Sequence, residues 1–549
     1  MVDYGTVREY FELKELPTYE HIKDGVPRTE MSVSTANALE LDLFYKSFLP
    51  TPRTTTGATM LAHSFISPPK DVATILARQE AVRELKEKEG LREKLEYTLN
   101  RVGYVEGSAL ALVKGGFYES SSDILSAREL INISIGELGS LGEIESPYLR
   151  ERVERLKGFK GSDIHRLSNE TIYRQGFKTP LHARQLNLAL FPFIVPNTLA
   201  SSKPLTGAFF AAVTGLSIYG ASNYPSLDEA GRVMIAPVIA LGAGAVGVAS
   251  AFLAGAYERA ISIPPLKRKL RGDDGARASY SSFGVFDEIL SLAKFAKSME
   301  DKGHKMTLPT IIDSDRQRVS CDNLVNLVQA ADKKYVPNRN LDFGSGRERL
   351  SFITGPNSGG KTSFSKALAT LQILGQMGSY VPASSAVLSP ADRIIYQVGI
   401  NDSQKEGEGG YGTQLRQTRE ILETADPRSL VVIDDLMSGT EEEAMARQTK
   451  NQFYALQHTG ANVIVITHRH DLAKEFRSQT GKGNYLQMEF EGDNPTRQIV
   501  PGIAPTSRPE LVESRVNMGQ EGVEKLLRER GFLRHGQGLY DIDTVKQVI

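Results

Sequence analysis

Cysteine is nearly missing from this chain: Cys321 is the single one in 549 residues. One thiol excludes an intramolecular disulfide and any cysteine-built zinc site, and it suits a reducing compartment. An excess of charge is missing too. The formal net charge is −1, so no global field gathers nucleic acid, and contact with DNA has to come from local patches. Residues 1–26 are polar and charged, without the apolar centre of a signal peptide. No convincing internal repeat is found, and no zinc-finger, helix-turn-helix or RNA-recognition signature appears. What is present is 40% hydrophobic and 24% charged, the balance of a folded protein, in a chain long enough for several domains.

The rest is organised around Thr354-Gly-Pro-Asn-Ser-Gly-Gly-Lys-Thr362. From Gly355 to Thr362 it fits G-x-x-x-x-G-K-[ST]. A β-like run, Leu350–Thr354, leads in, and a helix-like run from Ser363 to Gln372 leads out. Strand, glycine-rich loop and helix are the context such a loop needs. Its N–H groups converge at a helix N-terminus, where a phosphate chain can lie. Gly355, Pro356, Asn357, Ser358, Gly359, Gly360, Lys361, Thr362 and Ser363 are the candidate binding residues. Lys361 would reach the β- and γ-phosphates, and the Thr362 hydroxyl would sit on Mg²⁺. The bland alternative is a glycine-rich turn that happens to precede Lys-Thr.

Residues 1–38 read as a polar extension with room for one short helix. From Ala38 the pattern is helical, broken at Pro50–Thr56. Asp71–Val102 carries an amphipathic stripe of Ile75, Val82, Leu85, Leu91, Leu95 and Leu99. Ser146 and Pro147 suit the start of another helix, and Gly158 its end. Phe283–Met306 reads as a long helix returning toward the loop domain, and Met306–Val319 as a lead into strands. From Tyr335 short apolar runs alternate with helices, the sign of an α/β sheet.

Between these regions the character changes. Pro204–Ala221 and Val233–Tyr257 contain no charged residue. About 20 apolar residues span a bilayer, so the second run is long enough. It carries Ala243, Gly247, Ala251 and Gly255 at the four-residue spacing that lets membrane helices pack. Lys178 and Arg184 lie before the region and Lys267–Arg271 after it, which would place both ends in the cytoplasm. A hairpin buried in a large helical domain explains the same residues, and both readings stand.

Ser429-Leu-Val-Val-Ile-Asp-Asp435 is a buried-strand pattern that ends in two carboxylates. Asp434 would hold Mg²⁺, and Asp435 could orient an attacking water. Val463–His468 is a second apolar strand, which delivers His468 to the same sheet edge, where an imidazole can bond a γ-phosphate or water.

These residues carry a resemblance. Gly355-Pro-Asn-Ser-Gly-Gly-Lys-Thr362 resembles the GPNxGGKS/T loop of the MutS family of DNA mismatch-repair ATPases. Val336–Asn338, Gly378-Ser-Tyr-Val-Pro-Ala383, Asp392–Ile394, Gly399, Asp402, Pro427–Leu430, Asp434, Gly439-Thr440 and Thr467-His468 fall in that family's order. A weaker likeness spans Leu41–Val102, through Thr54–Gly57, Ile75 and Arg78–Val82. The resemblance implies a homodimer through the ATPase domain, with each nucleotide between two subunits and ATP moving lever helices that hold DNA.

The chain departs from the family pattern in four places. Walker B ends in Asp434-Asp435 where the family has Asp-Glu, which suits slow hydrolysis. Gly407-Glu-Gly-Gly-Tyr411 stands where the family has G-x-S-T-F, so the trans-serine contact does not carry over. About 38 residues precede the helical region, too few for a mismatch-reading domain, and Phe117-Tyr-Glu119 reads as a chance match to the wedge tripeptide. The hydrophobic hairpin occupies the place of the DNA clamp.

The expected fold is therefore an α/β P-loop ATPase domain, with a mostly parallel ABC-like sheet, joined to an all-α core and lever domain with a hydrophobic helical hairpin insertion. The expected segments are 1–38 extension, 39–185 and 261–330 helical core and lever, 186–260 hairpin, 331–505 ATPase, and 506–549 C-terminal dimerisation helix. The expected activity is ATP hydrolysis with Mg²⁺, driving a DNA-binding clamp or lever without mismatch readout. The alternative is a switch anchored to the cytoplasmic membrane through 204–257, acting on a protein or lipid.

Overall fold

The computed structural model describes residues 26–114, 121–138, 141, 144–158, 160–162, 165–166, 274–330, 337–356, 359–398, 409–434, 442–492, 494–505, 517–533 and 538–539. The hairpin expected over 186–260, with its uncharged runs 204–221 and 233–257, lies outside these residues, as does Phe117–Glu119. Among the described residues no helix is long and apolar enough to cross a membrane.

Among the described residues the N-terminal half is helical. Helices α1 (Val33–Ala38), α2 (Leu41–Phe48), α3 (Thr55–Ile66), α4 (Val72–Glu87), α5 (Glu89–Lys114), α6 (Ser121–Ile133) and α7 (Pro147–Gly158) precede the long α8 (Asp274–Asp301). Side-chain caps mark three of the starts. Ser32 Oγ accepts from Thr35 N at 3.2 Å. Thr54 Oγ1 accepts from Gly57 N at 2.8 Å, and Asp71 Oδ2 accepts from Thr74 N at 2.8 Å. The amphipathic stripe of 71–102 falls on two helices rather than one. All six of its apolar residues are buried, but the backbone turns extended at Lys88. Arg92 holds the break by donating from Nη1 to the Leu85 and Lys86 carbonyls, at 3.2 and 2.9 Å. These are carbonyls that the end of α4 leaves without helical partners. Glu84 meanwhile turns to accept from Glu145 N and Ser146 N, at 2.6 and 2.8 Å, at the start of α7.

The C-terminal half is a sheet between helices. Its six strands lie in the order β10 (Asn494–Pro501), β9 (Asn484–Glu491), β4 (Leu350–Thr354), β8 (Asn462–Thr467), β7 (Ser429–Asp434) and β6 (Arg393–Val398). All neighbours are parallel except β10 and β9. β4, β7 and β8 are buried along their whole length, as parallel strands covered on both faces must be. Alternate residues face opposite ways. Leu430, Val432, Ile464 and Ile466 pack with Phe364, Leu368 and Leu371 of α9 (Lys361–Gln376). Val431, Ile433, Val463 and Val465 pack on the other side, with α10 (Gly409–Thr424), α11 (Glu442–Thr459) and α12 (His470–Thr480). A small four-stranded sheet, β1 (Thr310–Ile311), β5 (Ser385–Leu388), β2 (Val319–Asp322) and β3 (Leu341–Phe343), lies beside it. Helix α13 (Gln520–Glu529) has no buried residue.

The two halves are joined at Arg78 of α4. Its guanidinium donates to Glu288 of α8 from Nη1 at 3.2 Å and Nη2 at 2.5 Å, to Tyr148 of α7 at 3.2 Å, and from Nε to the Met377 carbonyl at 2.7 Å. Both charged side chains are fully buried. Met377 caps the C-terminal end of α9. Gly378 follows with φ +79°, and a Cβ there would lie 2.6 Å from Arg78 Cβ, so only glycine lets the two helices approach this closely. Tyr380 then takes Lys86 Nζ over its ring at 4.5 Å. The Gly378–Ala383 block is thus the joint between helical layer and sheet.

Removing one member of a buried ion pair leaves the other charge stranded. Arg78→Ala and Glu288→Ala should each cost about 3–5 kcal/mol in denaturant melts. The Arg78→Met/Glu288→Leu double variant should cost less than the sum of the two; strict additivity would contradict the pairing.

A second buried pair makes stability pH-dependent. Asp287 Oδ2 of α8 accepts from Thr54 N and Oγ1 at 2.6 and 2.8 Å, and Glu106 of α5 accepts from Thr55 N and Thr56 N at 2.5 and 3.0 Å. Burial raises Glu106 to about 7, against those N–H bonds, and Asp287 to about 6. The folded state thus keeps protons that the unfolded chain releases at ordinary carboxylate pKa. Glu106 therefore contributes stability that is full below its ordinary value of 4.5 and is lost as pH rises through about 7. Unfolding free energy measured at pH 5 and pH 8 should fall less steeply in Glu106→Gln than in the unaltered protein; an unchanged slope would contradict the shift.

Candidate functional site

Register brings the candidate residues to one edge. Thr354, the last residue of β4, pairs with Thr467 of β8, and Asp434, the last of β7, pairs with Ile466. The loop after β4, the carboxylate of β7 and the turn after β8 therefore leave the sheet together, with one strand between loop and carboxylate. Asp434 lies on the face that α9 covers, in line with Leu430 and Val432.

The loop is backbone-built. Gly355 has φ +147°, and a Cβ there would lie 3.0 Å from Met488 Cβ, so the strand exit leaves no room for a side chain. Gly360, at φ +94°, is the N-cap of α9. Lys361 opens the helix almost fully buried, and its Nζ donates to the Gly355 and Pro356 carbonyls at 2.7 and 2.8 Å. The ammonium thus lies against the backbone at the start of the loop. Thr362 is exposed and Ser363 half-buried. Both border a cavity of about 270 Å³ with Glu40, Phe44, Asn326 and Lys366. Asn326 Nδ2 closes that side by donating to the Ser363 carbonyl at 2.8 Å.

Asp434 is buried, and Oδ2 is 3.3 Å from the Tyr396 hydroxyl of β6. That hydroxyl is 2.8 Å from Ser365 Oγ, one turn into α9. Burial, then the neighbouring Asp434 charge, pushes the Tyr396 phenol well above its ordinary pKa, so it stays protonated. His468 follows β8 at the same edge, half-buried. His470, which opens α12, is buried against the Gly355 backbone, and its Nε2 has no hydrogen-bond partner. Burial, together with the cationic Lys361, holds its pKa below the ordinary value, so it offers a neutral imidazole. Asn357, Ser358 and Asp435 lie outside the described residues. So do 407–408 of the Gly-rich segment, whose Gly409 and Gly410 open α10.

The structure therefore brings Gly355, Pro356, Gly359, Gly360, Lys361, Thr362, Asp434 and His468 to one edge. It adds Ser365, Tyr396 and His470, which sequence patterns had not marked. Their signals are weak: a serine inside a helix, a tyrosine in an apolar strand and a histidine after a strand have ordinary structural uses. The donor set suits a divalent ion that takes hard oxygen ligands, since it offers a carboxylate and a hydroxyl. Among the described residues no cluster of three or more His, Cys, Asp or Glu forms a metal cage, so such an ion would need oxygens from a bound phosphate.

Comparison with known proteins finds its family match within the sheet-bearing part of the chain. Residues 351–505 match the family model MutS domain V. The chain is 31% identical over 225 residues to the DNA mismatch repair protein MSH3 of Phaeosphaeria nodorum, covering 41% of this chain and 20% of that protein. It is 30% identical over 238 residues to the DNA mismatch repair protein MutS of Solibacter usitatus, covering 42% and 27%. Against the DNA mismatch repair protein Msh3 of Homo sapiens it is 31% identical over 226 residues, covering 40% and 19%. The matches thus span about a fifth to a quarter of these relatives' length. Residues 351–505, whose loop, carboxylate and histidine meet at one sheet edge, are thus the part of the chain that matches the MutS family, as its domain V.

Proposed function

We propose that this protein binds ATP with Mg²⁺ at the edge formed by β4, β7 and β8, hydrolyses it slowly, and uses the bound nucleotide to move its helical layer on DNA. The observation that carries the reading is the meeting of Lys361 and Asp434 on one side of one edge. A phosphate chain in the loop would lie between the N-terminus of α9 and the ammonium, where backbone N–H groups and the helix dipole favour negative charge. Lys361 would exchange its loop carbonyls for the β- and γ-phosphate oxygens. Thr362 and Asp434 would hold Mg²⁺, which supplies charge neutralisation at the transferring phosphoryl group. Asp435 would orient the attacking water, and His468 would bond the γ-phosphate. Aspartate is one methylene shorter than glutamate, which favours slow turnover and a long-lived bound state.

The homodimer is part of this proposal, with Gly409 and Gly410 offering backbone N–H groups at the start of α10 to a partner's nucleotide. The DNA reading leans on the mismatch-repair relatives. It takes shape or branch recognition rather than base reading, and a near-neutral chain has to rely on local basic patches for it.

Lys361→Ala should lose tight ATP binding, by about 100-fold or more, in a fluorescent-nucleotide titration, beside a circular-dichroism spectrum that shows the variant folded. Unchanged affinity would remove the site. In the same preparation, DNA binding should weaken as salt rises, because phosphate contacts release counterions. Absence of DNA binding at low salt would restrict the reading to a nucleotide switch.

A further inference from the structure

The nucleotide reading uses Asp434 but leaves unexplained what holds it. The geometry points to Tyr396 as the positioning residue for Asp434, itself set by Ser365 of the helix that begins at Lys361. The inference rests on the reading of Asp434 as the metal-side carboxylate.

Tyr396 is fixed from both ends. Its backbone N donates to Thr35 Oγ1 at 3.1 Å, and Thr35 is buried. Thr35 belongs to α1, which therefore pins the edge strand below the tyrosine. At the other end the phenol lies 2.8 Å from Ser365 Oγ and 3.3 Å from Asp434 Oδ2. Tyr396 pairs with Val432, and Val398 with Asp434. Residues two apart share a face, so the phenol and the carboxylate lie on the same side of the sheet, under α9.

Counting protons decides how the hydroxyls are used. Ser365 Oγ is also 2.9 Å from the Thr362 carbonyl. Each hydroxyl has one proton to donate. In one arrangement Tyr396 donates to Ser365, which donates to Thr362, and Asp434 Oδ2 faces a phenol lone pair. In the other, Ser365 donates to Tyr396, which donates to Asp434. A hydrogen bond to an ionised carboxylate is about twice as strong as one between neutral groups. With Asp434 charged, the second arrangement wins. The phenol then holds one carboxylate oxygen, and the serine holds the phenol.

The consequence is mechanical as well as electrostatic. Asp434 arrives on β7 and Lys361 on α9, two elements linked across the site by this hydroxyl chain. A shift of α9 toward bound phosphate carries Ser365 with it and, through Tyr396, the carboxylate. Phenylalanine at 396 preserves the packing and removes only the donor, so the test isolates the hydroxyl.

The experiment is equilibrium binding of a fluorescent ATP analogue to the full chain, titrated with Mg²⁺ and repeated without metal, beside thermal melts. Asp434→Asn tests the parent reading alone; an unchanged Mg²⁺ requirement in that variant would remove Asp434 from the metal side whatever Tyr396 does. With Asp434 in place, Tyr396→Phe should raise the Mg²⁺ concentration needed for half-maximal tight binding by about 3- to 10-fold, the loss of one moderate hydrogen bond. Its metal-free affinity and melting temperature should stay unchanged. Ser365→Ala should move the Mg²⁺ requirement in the same direction by less. An unaltered Mg²⁺ requirement in Tyr396→Phe, or equal weakening with and without metal, would overturn the assignment.

Discussion

Helix α9 is held at both ends, and the rest of the molecule depends on that. Its first residue is Lys361, folded back onto the loop carbonyls. The carbonyl of its C-cap, Met377, accepts from Arg78 of α4, which is paired with Glu288 of α8. A single rigid element of 16 residues therefore runs from the candidate phosphate loop to the long helices. At about 1.5 Å per residue it is roughly 24 Å long. A displacement at one end arrives at the other, because interiors packed at crystal-like density transmit strain rather than absorb it.

The middle of the helix is anchored by buried polar groups rather than by hydrophobic contact alone. Gln372 donates to the Ser389 carbonyl and to Gln376, which donates to Thr29 Oγ1 and the Pro69 carbonyl. Both glutamines are fully buried. Such a network specifies one position of the helix, because a slip would strand several donors in a dry interior at a cost of about 1–3 kcal/mol each. It also ties residues 26–38 into the sheet. Glu30 N donates to the Asp392 carbonyl at 2.8 Å, and Ile394 N to the Glu30 carbonyl at 3.1 Å. The segment that reads as a polar extension thus covers the edge strand β6, which would otherwise present unpaired backbone groups.

The loop and strands were legible because they obey local rules. Glycine spacing, the uniformly apolar β7 and β8, and the terminal carboxylate each have one common explanation when they come in this order. The ordered family blocks extended that to the joint at Gly378–Ala383. The break at Lys88 was not legible, because the apolar stripe continues through it; the break is made by Arg92 and Glu84, whose partners lie on other turns and another helix. Arg78 carried a family likeness but not its role, since its partners Tyr148, Glu288 and Met377 are distant in sequence. Tyr396 and Ser365 were hidden for the same reason: their meaning comes from register between β6 and β7 and from the face that α9 covers. The apolar stretch 204–257 has only its composition to speak for it.

The central claim is that one edge binds a triphosphate and its metal between α9 and β7. Crystals grown with a non-hydrolysable ATP analogue and Mn²⁺, measured for anomalous scattering, test it most directly. The account predicts a metal peak bounded by the Thr362 hydroxyl and the Asp434 carboxylate, with the phosphates at the start of α9. A nucleotide bound with its metal away from Asp434, or phosphates outside the Gly355–Thr362 loop, would contradict it.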